Sequence, residues 1–357
     1  MAGGVGSRFW PLSRASRPKQ FLDILDLGRT FLQMTFDRYA SIVPKENILV
    51  VTAERYLDYV KEQLPEVSPD NILLEPYKRN TAPCIAYATY KILSRNPDAV
   101  AVVAPSDHLI TGEKNFEEII LKGLKAAESG DKLFTIGIRP TRPETNYGYI
   151  QANKSECDVV DGKETFKVKT FTEKPDVETA KVFIETGEFF WNSGMFIWRL
   201  DAIRGELERC LPEVTTLFRG GEDFYYTKGE ADFIRKVYED CPAISIDYGV
   251  MEKTRRAWVF PSNFGWSDVG TWGSIYENSP NKTAEGNVVK SQIAMIDGVR
   301  GSIIKEGDPE KLVVVRDVED IMVVDVKDVL MVCKRTDKTV KDIITDLTVR
   351  DKEGRYL

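Results

Sequence analysis

The chain opens with Gly3, Gly4 and Gly6, followed by Ser7, Arg8 and, thirteen residues past Gly6, Lys19. Glycines let backbone N–H groups approach phosphate oxygens, and the two cations add charge within reach. No G-K-[ST] follows and the pattern is not G-x-G-x-x-G, so neither common nucleotide loop is present. From glycines alone the stretch is either a phosphate cradle or a turn beside surface cations. The longer form, G-G-x-G-x-R-x-W-P-L-S-R followed by P-K-Q-F, is far more specific.

Two carboxylates stand at similarly suggestive places. "APSDH" (104–108) ends an apolar run at Asp107, and "FGWSDVGTW" (264–272) carries Asp268 in a Gly/Trp-rich loop. Ligands of open α/β sheets bind at the C-terminal strand edge, where Asp107 falls. Two carboxylates with nucleotide phosphates and water make a Mg²⁺ site. The competing reading of Asp107 is a helix N-cap or Asx turn, and spacing does not say whether the two aspartates converge.

Polar groups inside apolar runs supply the remaining candidates. In "LLEPYKRNTAPC" (73–84), Glu75 can accept from guanine N1–H and its exocyclic amine, a donor pair adenine lacks; otherwise this loop simply caps the next helix. In "TFTEKP" (170–175), Glu173 can accept from sugar hydroxyls and Lys174 can bind a sugar phosphate, or the pair is a solvated strand exit. In "FWNSGMF" (190–196), Asn192 offers a donor and an acceptor, or the segment is a β-bulge. Cations, carboxylates and glycine N–H groups are the parts that in-line nucleotidyl transfer requires.

Composition narrows the class. The 357 residues are 42% hydrophobic and 29% charged with net charge −7, and no long Lys/Arg block occurs, which argues against nucleic acid as a partner. Five separated cysteines without C-x-x-C fit a reducing cytoplasm, not a zinc site or disulfide framework. No apolar run reaches the roughly 18–20 residues of a membrane span, and a signal-peptide core is missing. His108 is the only histidine, which argues strongly against His-based triads and multi-His metal sites. A sugar 1-phosphate needs no protein base, because it is already largely ionised near neutral pH, its second pKa being about 6.

These side chains need a scaffold, and the first half of the chain describes one. Apolar runs at 47–53, 71–76, 99–107 and 133–138 alternate with helical periodicity over 30–42, 54–64, 81–95 and 115–129. That alternation predicts an α/β fold with a parallel, doubly wound sheet. From about 145 the pattern turns to strands among longer loops, with helices over 177–186 and 202–211, which suggests a mixed-sheet half receiving the second substrate. After about 280 short strands dominate until a helix over 339–347, which predicts stacked β-coils or a small sheet beyond a linker at 278–286.

The stretches "AGGVGSRFWPLSR…PKQF", "LLEPYKRNTAP", "PSDH", "NYGYI", "FTEKP", "FWNSGMFIW", "DYGVMEK" and "GWSDVGTW" jointly resemble the mannose-1-phosphate guanylyltransferase (GDP-mannose pyrophosphorylase) family, from residue 2 to about 272. The resemblance implies a GT-A-like Rossmann nucleotidyltransferase domain over 1–280, with a mixed, mainly parallel sheet. It also implies a β-rich domain over 286–357, of short β-helix type, that mediates homodimer contacts. The implied reaction is GTP plus mannose 1-phosphate giving GDP-mannose and pyrophosphate, dependent on Mg²⁺. Matched by motif, Gly3, Gly4, Gly6 and Ser7 would line the nucleotide, and Arg8 and Lys19 would hold its β- and γ-phosphates. Glu75, Arg79, Asn80 and Thr81 fall in the guanosine segment. Asp107 and Asp268 match the metal aspartates, and Gly148, Glu173, Lys174 and Asn192 match the sugar-phosphate pocket.

The chain departs from the family pattern twice. With a single histidine it has no His-rich cupin of the phosphomannose isomerase type, so one activity is expected. Relatives carry an apolar V-I-L-type strand before A-G-G, whereas Met1 stands directly there. Either Met1 is an internal methionine or the chain was trimmed, and a version extended upstream is expected to be more stable. Two other readings stay open: a different nucleotide or sugar 1-phosphate, and a non-catalytic regulatory homologue.

Overall fold

A computed structural model describes residues 1–4, 7–351 and 354–357. The chain divides into two compact units that do not follow chain order. The first comprises Met1–Gly3, Thr35–Ser106 and Ile110–Trp266; the second comprises Gly4–Met34, Asp107–Leu109 and Ser267–Leu357. These units cut across the linear division at 280/286, because the opening segment pairs with late residues. Arg14 meets both carboxylate oxygens of Asp328 at 2.7 and 2.6 Å, Lys305 meets Asp26 at 2.7 Å, and the Trp10 indole donates to the Tyr356 carbonyl at 2.6 Å.

Strands β1 (Val50–Ala53) and β2 (Ile72–Glu75) of the first unit form a separate parallel pair. The main sheet holds β3 (Val100–Val103), β5 (Leu133–Ile138), β6 (Gly148–Val160), β7 (Lys163–Glu173), β8 (Phe189–Arg199) and β9 (Ala257–Ser262) in the order β3-β8-β5-β9-β7-β6. Short strands β4 (Leu109–Ile110) and β10 (Trp266–Ser267) lie where the chain passes between units.

The α/β class with a mixed sheet holds, but "mainly parallel" is corrected. Within the main sheet only β5–β9 is parallel, because β8 inserts antiparallel between β3 and β5, and β6–β7 is a hairpin. That hairpin turns on Asp161 and Gly162, both at positive φ (44° and 78°), the pairing a two-residue Asp-Gly turn favours.

Period-two alternation builds two cores on the sheet. Phe196 and Trp198 of β8 pack with α3 (Thr81–Leu93), α6 (Leu200–Cys210), α7 (Pro212–Arg219) and α8 (Glu230–Asp240). Met195 and Ile197 face the other way, against α4 (Glu113–Ala127) and Ala180 of α5 (Val177–Thr186). Helices α1 (Phe31–Ala40) and α2 (Leu57–Gln63) complete the strand–helix alternation near the expected boundaries.

Met1 and Ala2 stand between β1 and β3. Ala2 donates to the Val51 carbonyl at 2.7 Å and its carbonyl accepts from Thr52 at 3.0 Å. On the other side Met1 donates to Ala104 at 2.8 Å and accepts from Ser106 at 3.1 Å. All four residues of β3, the sheet's edge strand, are half-exposed, whereas all six of β5 are buried.

The second unit's late strands stack as parallel coils. β11 (Val288–Lys290), β13 (Ile303–Lys305) and β15 (Ile321–Val326) form one ladder, and β12 (Ala294–Arg300) and β14 (Val313–Glu319) a second. Antiparallel β16 (Val329–Lys334) closes the first ladder. Val288, Ile303 and Met322 share a core with Phe9, Phe31, Trp272 of α9 (Trp272–Asn278) and Val340 of α10 (Asp337–Arg350). Among the described residues no helix is long and apolar enough to cross a membrane.

Candidate active site

In the second unit, Lys19 lies in a single 3-10 turn (Lys19–Phe21) and is 4% exposed. Its ammonium lies over the Phe9 and Phe31 rings, 5.8 and 5.3 Å from their centroids. The ammonium stands 3.1 Å from Asp107 Oδ2 and donates to the Asp268 carbonyl at 2.5 Å. The two aspartate segments therefore converge on one buried cation, which spacing could not reveal. Asp107 is no helix N-cap: α4 begins at Glu113 behind Gly112. Burial pushes the Asp107 carboxyl up, but the Lys19 ammonium and His108 outweigh it, and the net shift is downward.

Asp268 sits in a local turn that fixes its carboxylate. Gly270 N donates to Asp268 Oδ1 at 2.9 Å, and a Cβ on Gly270 would stand 2.6 Å from Oδ2. Between them Val269 is held at φ 41°, a strained value for a β-branched residue. Its side chain is fully buried in the unit's core, which pins that conformation. Asp-x-Gly is the signal from which Gly270 was readable.

Hard oxygen donors on two aspartates suit a divalent metal. Among the described residues no group of three or more His, Cys, Asp or Glu side chains gathers. Asp107 and Asp268 are the carboxylates at this centre that could hold a divalent ion together with phosphate and water. Gly4 is exposed and its carbonyl accepts from Gln20 at 2.9 Å. Ser7 starts the 3-10 turn Ser7–Phe9, and Gly6 lies outside the described residues. Arg8 is exposed and lines a small cavity with Thr271, Asp337 and Lys341 at the start of α10.

In the first unit, strand pairing assembles another constellation. Gly148 of β6 is the register partner of Glu173 of β7, and Tyr149 that of Trp191, next to Asn192. A Cβ on Gly148 would lie 2.7 Å from Glu173 Oε2 and 3.5 Å from Asn192 Cβ, so glycine keeps these side chains together. Asn192 does lie on a register irregularity between β5 and β8, so the bulge and the polar site coincide. Lys174, at φ 46°, bonds Glu173 Oε1 at 2.6 Å and remains half-exposed. Sequence reasoning missed Asp247, which accepts from Asn192 Nδ2 at 2.8 Å. It heads a π-helical turn (Asp247–Met251), and no local pattern announced its partner.

The segment expected to meet guanosine is largely tied into the scaffold. Arg79 donates to the Tyr238 and Glu239 carbonyls at 2.9 Å each, at the C-terminus of α8. The Thr81 hydroxyl accepts from Ile246 N at 2.9 Å, while Asn80 is exposed at φ 69°. Glu75, 8% exposed, accepts from the Tyr238 hydroxyl at 3.1 Å, and its other oxygen lies 3.0 Å from where a Gly3 Cβ would stand. Burial pushes the Glu75 carboxyl up to about 7, against the Tyr238 hydrogen bond and the α-amino group.

This α/β scaffold with a glycine-led opening and a lysine–aspartate centre defines a nucleotidyltransferase, and the nucleotidyl transferase family profile matches residues 1–285. The chain is 38% identical to mannose-1-phosphate guanylyltransferase 2 of Escherichia coli O157:H7 over 99% of its length and 73% of that protein. It is 41% identical to a mannose-1-phosphate guanylyltransferase of Salmonella montevideo, over 93% of the chain and 69% of that protein. A solved structure described as a mannose-1-phosphate geranyltransferase from Thermus thermophilus superposes with a TM-score of 0.85 at 30% identity, covering 98% of each chain. The chain belongs to the mannose-1-phosphate guanylyltransferase family. Enzymes of this class generally use a divalent metal.

Proposed function

We propose that this chain transfers GMP from GTP to α-D-mannose 1-phosphate, giving GDP-mannose and pyrophosphate, with Mg²⁺ as its metal. An oxygen of the sugar phosphate attacks the GTP α-phosphorus. The bond to the α–β bridging oxygen breaks, and its electron pair leaves on pyrophosphate. One observation carries this reading: a buried ammonium, Lys19, shared by two aspartate segments in a chain of this family.

Lys19 and Arg8 oppose the charge that grows on the leaving pyrophosphate. Backbone N–H groups of Gly3, Gly4, Gly6 and Ser7 line the nucleotide. The Glu75 oxygen that does not meet Tyr238 accepts from guanine N1–H and the exocyclic amine, while Arg79, Asn80 and Thr81 shape that segment. Glu173 and Asn192 bind sugar hydroxyls beside Gly148, and Lys174 turns from Glu173 to the sugar phosphate. Asp107 and Asp268 would hold Mg²⁺, which when bound neutralises phosphate charge. The attacking phosphate oxygen is already anionic, so positioning and electrostatics carry the rate.

The same reading includes a homodimer through the C-terminal β-coils. It is supported by exposed Met295 and Val314, which are register partners, and by exposed Leu330 and Val332 on β16. A monomeric mass by light scattering excludes it.

Pyrophosphate release measured over the four NTPs, each with mannose 1-phosphate and glucose 1-phosphate, tests the reaction. GTP with mannose 1-phosphate is expected to give the highest kcat/KM, and Asp268→Ala to abolish turnover at unchanged Tm. Another pair ranking first overturns the assignment.

A further inference from the structure

We infer that Asp247 is a positioning residue for the sugar phosphate, acting through Asn192. The inference rests on assigning Gly148, Glu173 and Asn192 to the sugar site.

Asn192 is held at both ends of its amide. Its Nδ2 donates to Asp247 Oδ1 at 2.8 Å, and its Oδ1 accepts from Gly194 N at 3.0 Å. A carboxylate only accepts and a backbone N–H only donates, so these partners fix which end of the amide is which. One amide N–H and one oxygen lone pair remain, the complement of a hydroxyl that both donates and accepts. A flipped amide would set donor against Gly194 N–H and acceptor against Asp247. The oriented Asn192 can therefore discriminate hydroxyl geometry where a free one could not.

Asp247 is itself anchored. The preceding backbone pairs with the R-N-T-A segment: Ile244 N donates to the Arg79 carbonyl at 3.2 Å, Ala82 N to the Ile244 carbonyl at 3.0 Å, and Ile246 N to Thr81 Oγ1 at 2.9 Å. Gly249 N returns to the Ser245 carbonyl at 2.8 Å. The carboxylate is thus presented from a fixed turn, and Glu173 and Lys174 of the same constellation, together with Glu252, are charges that act on it.

The test is a kinetic cycle run with whichever sugar 1-phosphate the wild-type enzyme uses best. If that is not mannose 1-phosphate, the function assignment fails while the cycle still decides the role of Asp247. Asp247→Ala is expected to raise KM for the sugar phosphate about tenfold or more, with KM for GTP and Tm unchanged. Asp247→Asn, whose carbonyl still accepts from Asn192, is expected to stay within about threefold of wild type. In an Asn192→Ala background, Asp247→Ala should add nothing. Should Asp247→Ala not fold, Asp247→Ser, one atom too short to reach Nδ2, replaces it. Equal rises in both KM values, an unchanged sugar KM, or full additivity with Asn192→Ala would overturn the inference.

Discussion

Lys19 and Asp107 form an ion pair at 3.1 Å in which the lysine side chain is 5% exposed and the aspartate 34% exposed. Burying the aspartate alone would raise its carboxyl pKa; the ammonium and His108 reverse that. Because the folded value lies below the unfolded one of about 3.9, the pair stabilises the fold above that pH and is lost as pH falls through the folded value.

Lys19→Met keeps an unbranched apolar side chain at this buried position and deletes the charge. Turnover is expected to fall on the order of 100- to 1,000-fold. The Asp107 carboxyl, followed by carbon NMR through a pH titration, is expected to move upward. A carboxyl that titrates as before would dissolve the proposed coupling.

Glu75 carries the opposite sign. Its folded pKa of about 7 exceeds the usual glutamate value. Between roughly pH 4.3 and 7 the folded chain holds the extra proton, so this group's contribution to stability falls as pH rises through that window. Glu75→Gln is expected to flatten the Tm–pH curve there. With guanine as its ligand, KM for GTP should fall as wild type passes pH 7, and Glu75→Gln should raise it roughly 10- to 100-fold and abolish the pH dependence. A GTP KM indifferent to both changes assigns Glu75 to the scaffold.

Gly270→Ala places a methyl 2.6 Å from Asp268 Oδ2 and must displace the carboxylate or the turn. The Mg²⁺ concentration giving half-maximal rate is expected to rise about 10-fold or more, with saturating Mg²⁺ restoring most activity. An unshifted metal titration removes Asp268 from metal binding.

Far from these groups, Lys91 of α3 bonds both oxygens of Glu230 of α8 at 2.7 and 3.0 Å, and both residues are buried. Glu230 also accepts from the Tyr87 hydroxyl at 2.5 Å and from Tyr226 N at 2.6 Å. Lys91→Met strands that carboxylate and should cost about 3–5 kcal/mol. Adding Glu230→Gln should recover part of the loss. Denaturant unfolding measures both, and strict additivity would contradict the coupling.

The slot between β1 and β3 makes a further expectation measurable. Appending an apolar V-I-L-type segment before Met1 would extend the pairing that Met1 and Ala2 begin, and would cover the half-exposed face of β3. A gain in Tm is expected, and an unchanged Tm would show that both edges are already satisfied.

The sequence made some of this legible and not the rest, for physical reasons. Strong local periodicity announced α3, α4 and α5 within a few residues, and apolar runs announced β1, β2 and β5. Strand sense was hidden, because an apolar run such as β8 reads the same whether its neighbours are parallel or antiparallel. The Asp161-Gly162 turn was visible in principle as a hairpin signal. Motifs pointed to Lys19, Asp107 and Asp268, but only folding could bring them together. Arg79 shows the reverse: a cation expected to serve the nucleotide, whose guanidinium instead caps α8. Asp247 heads the DYGVMEK stretch, but its role was unreadable because it lies in Asn192, on a distant strand.

The alliance of Arg14 with Asp328, Asp26 with Lys305, and Trp10 with Tyr356 has a consequence in time. During synthesis each early partner is made 279 to 346 residues before its late one. At about 5–20 residues per second, on the order of 15–70 s separate them. Each of these three contacts therefore waits for late chain, and a ribosome stalled before residue 328 carries Arg14 without its Asp328 partner.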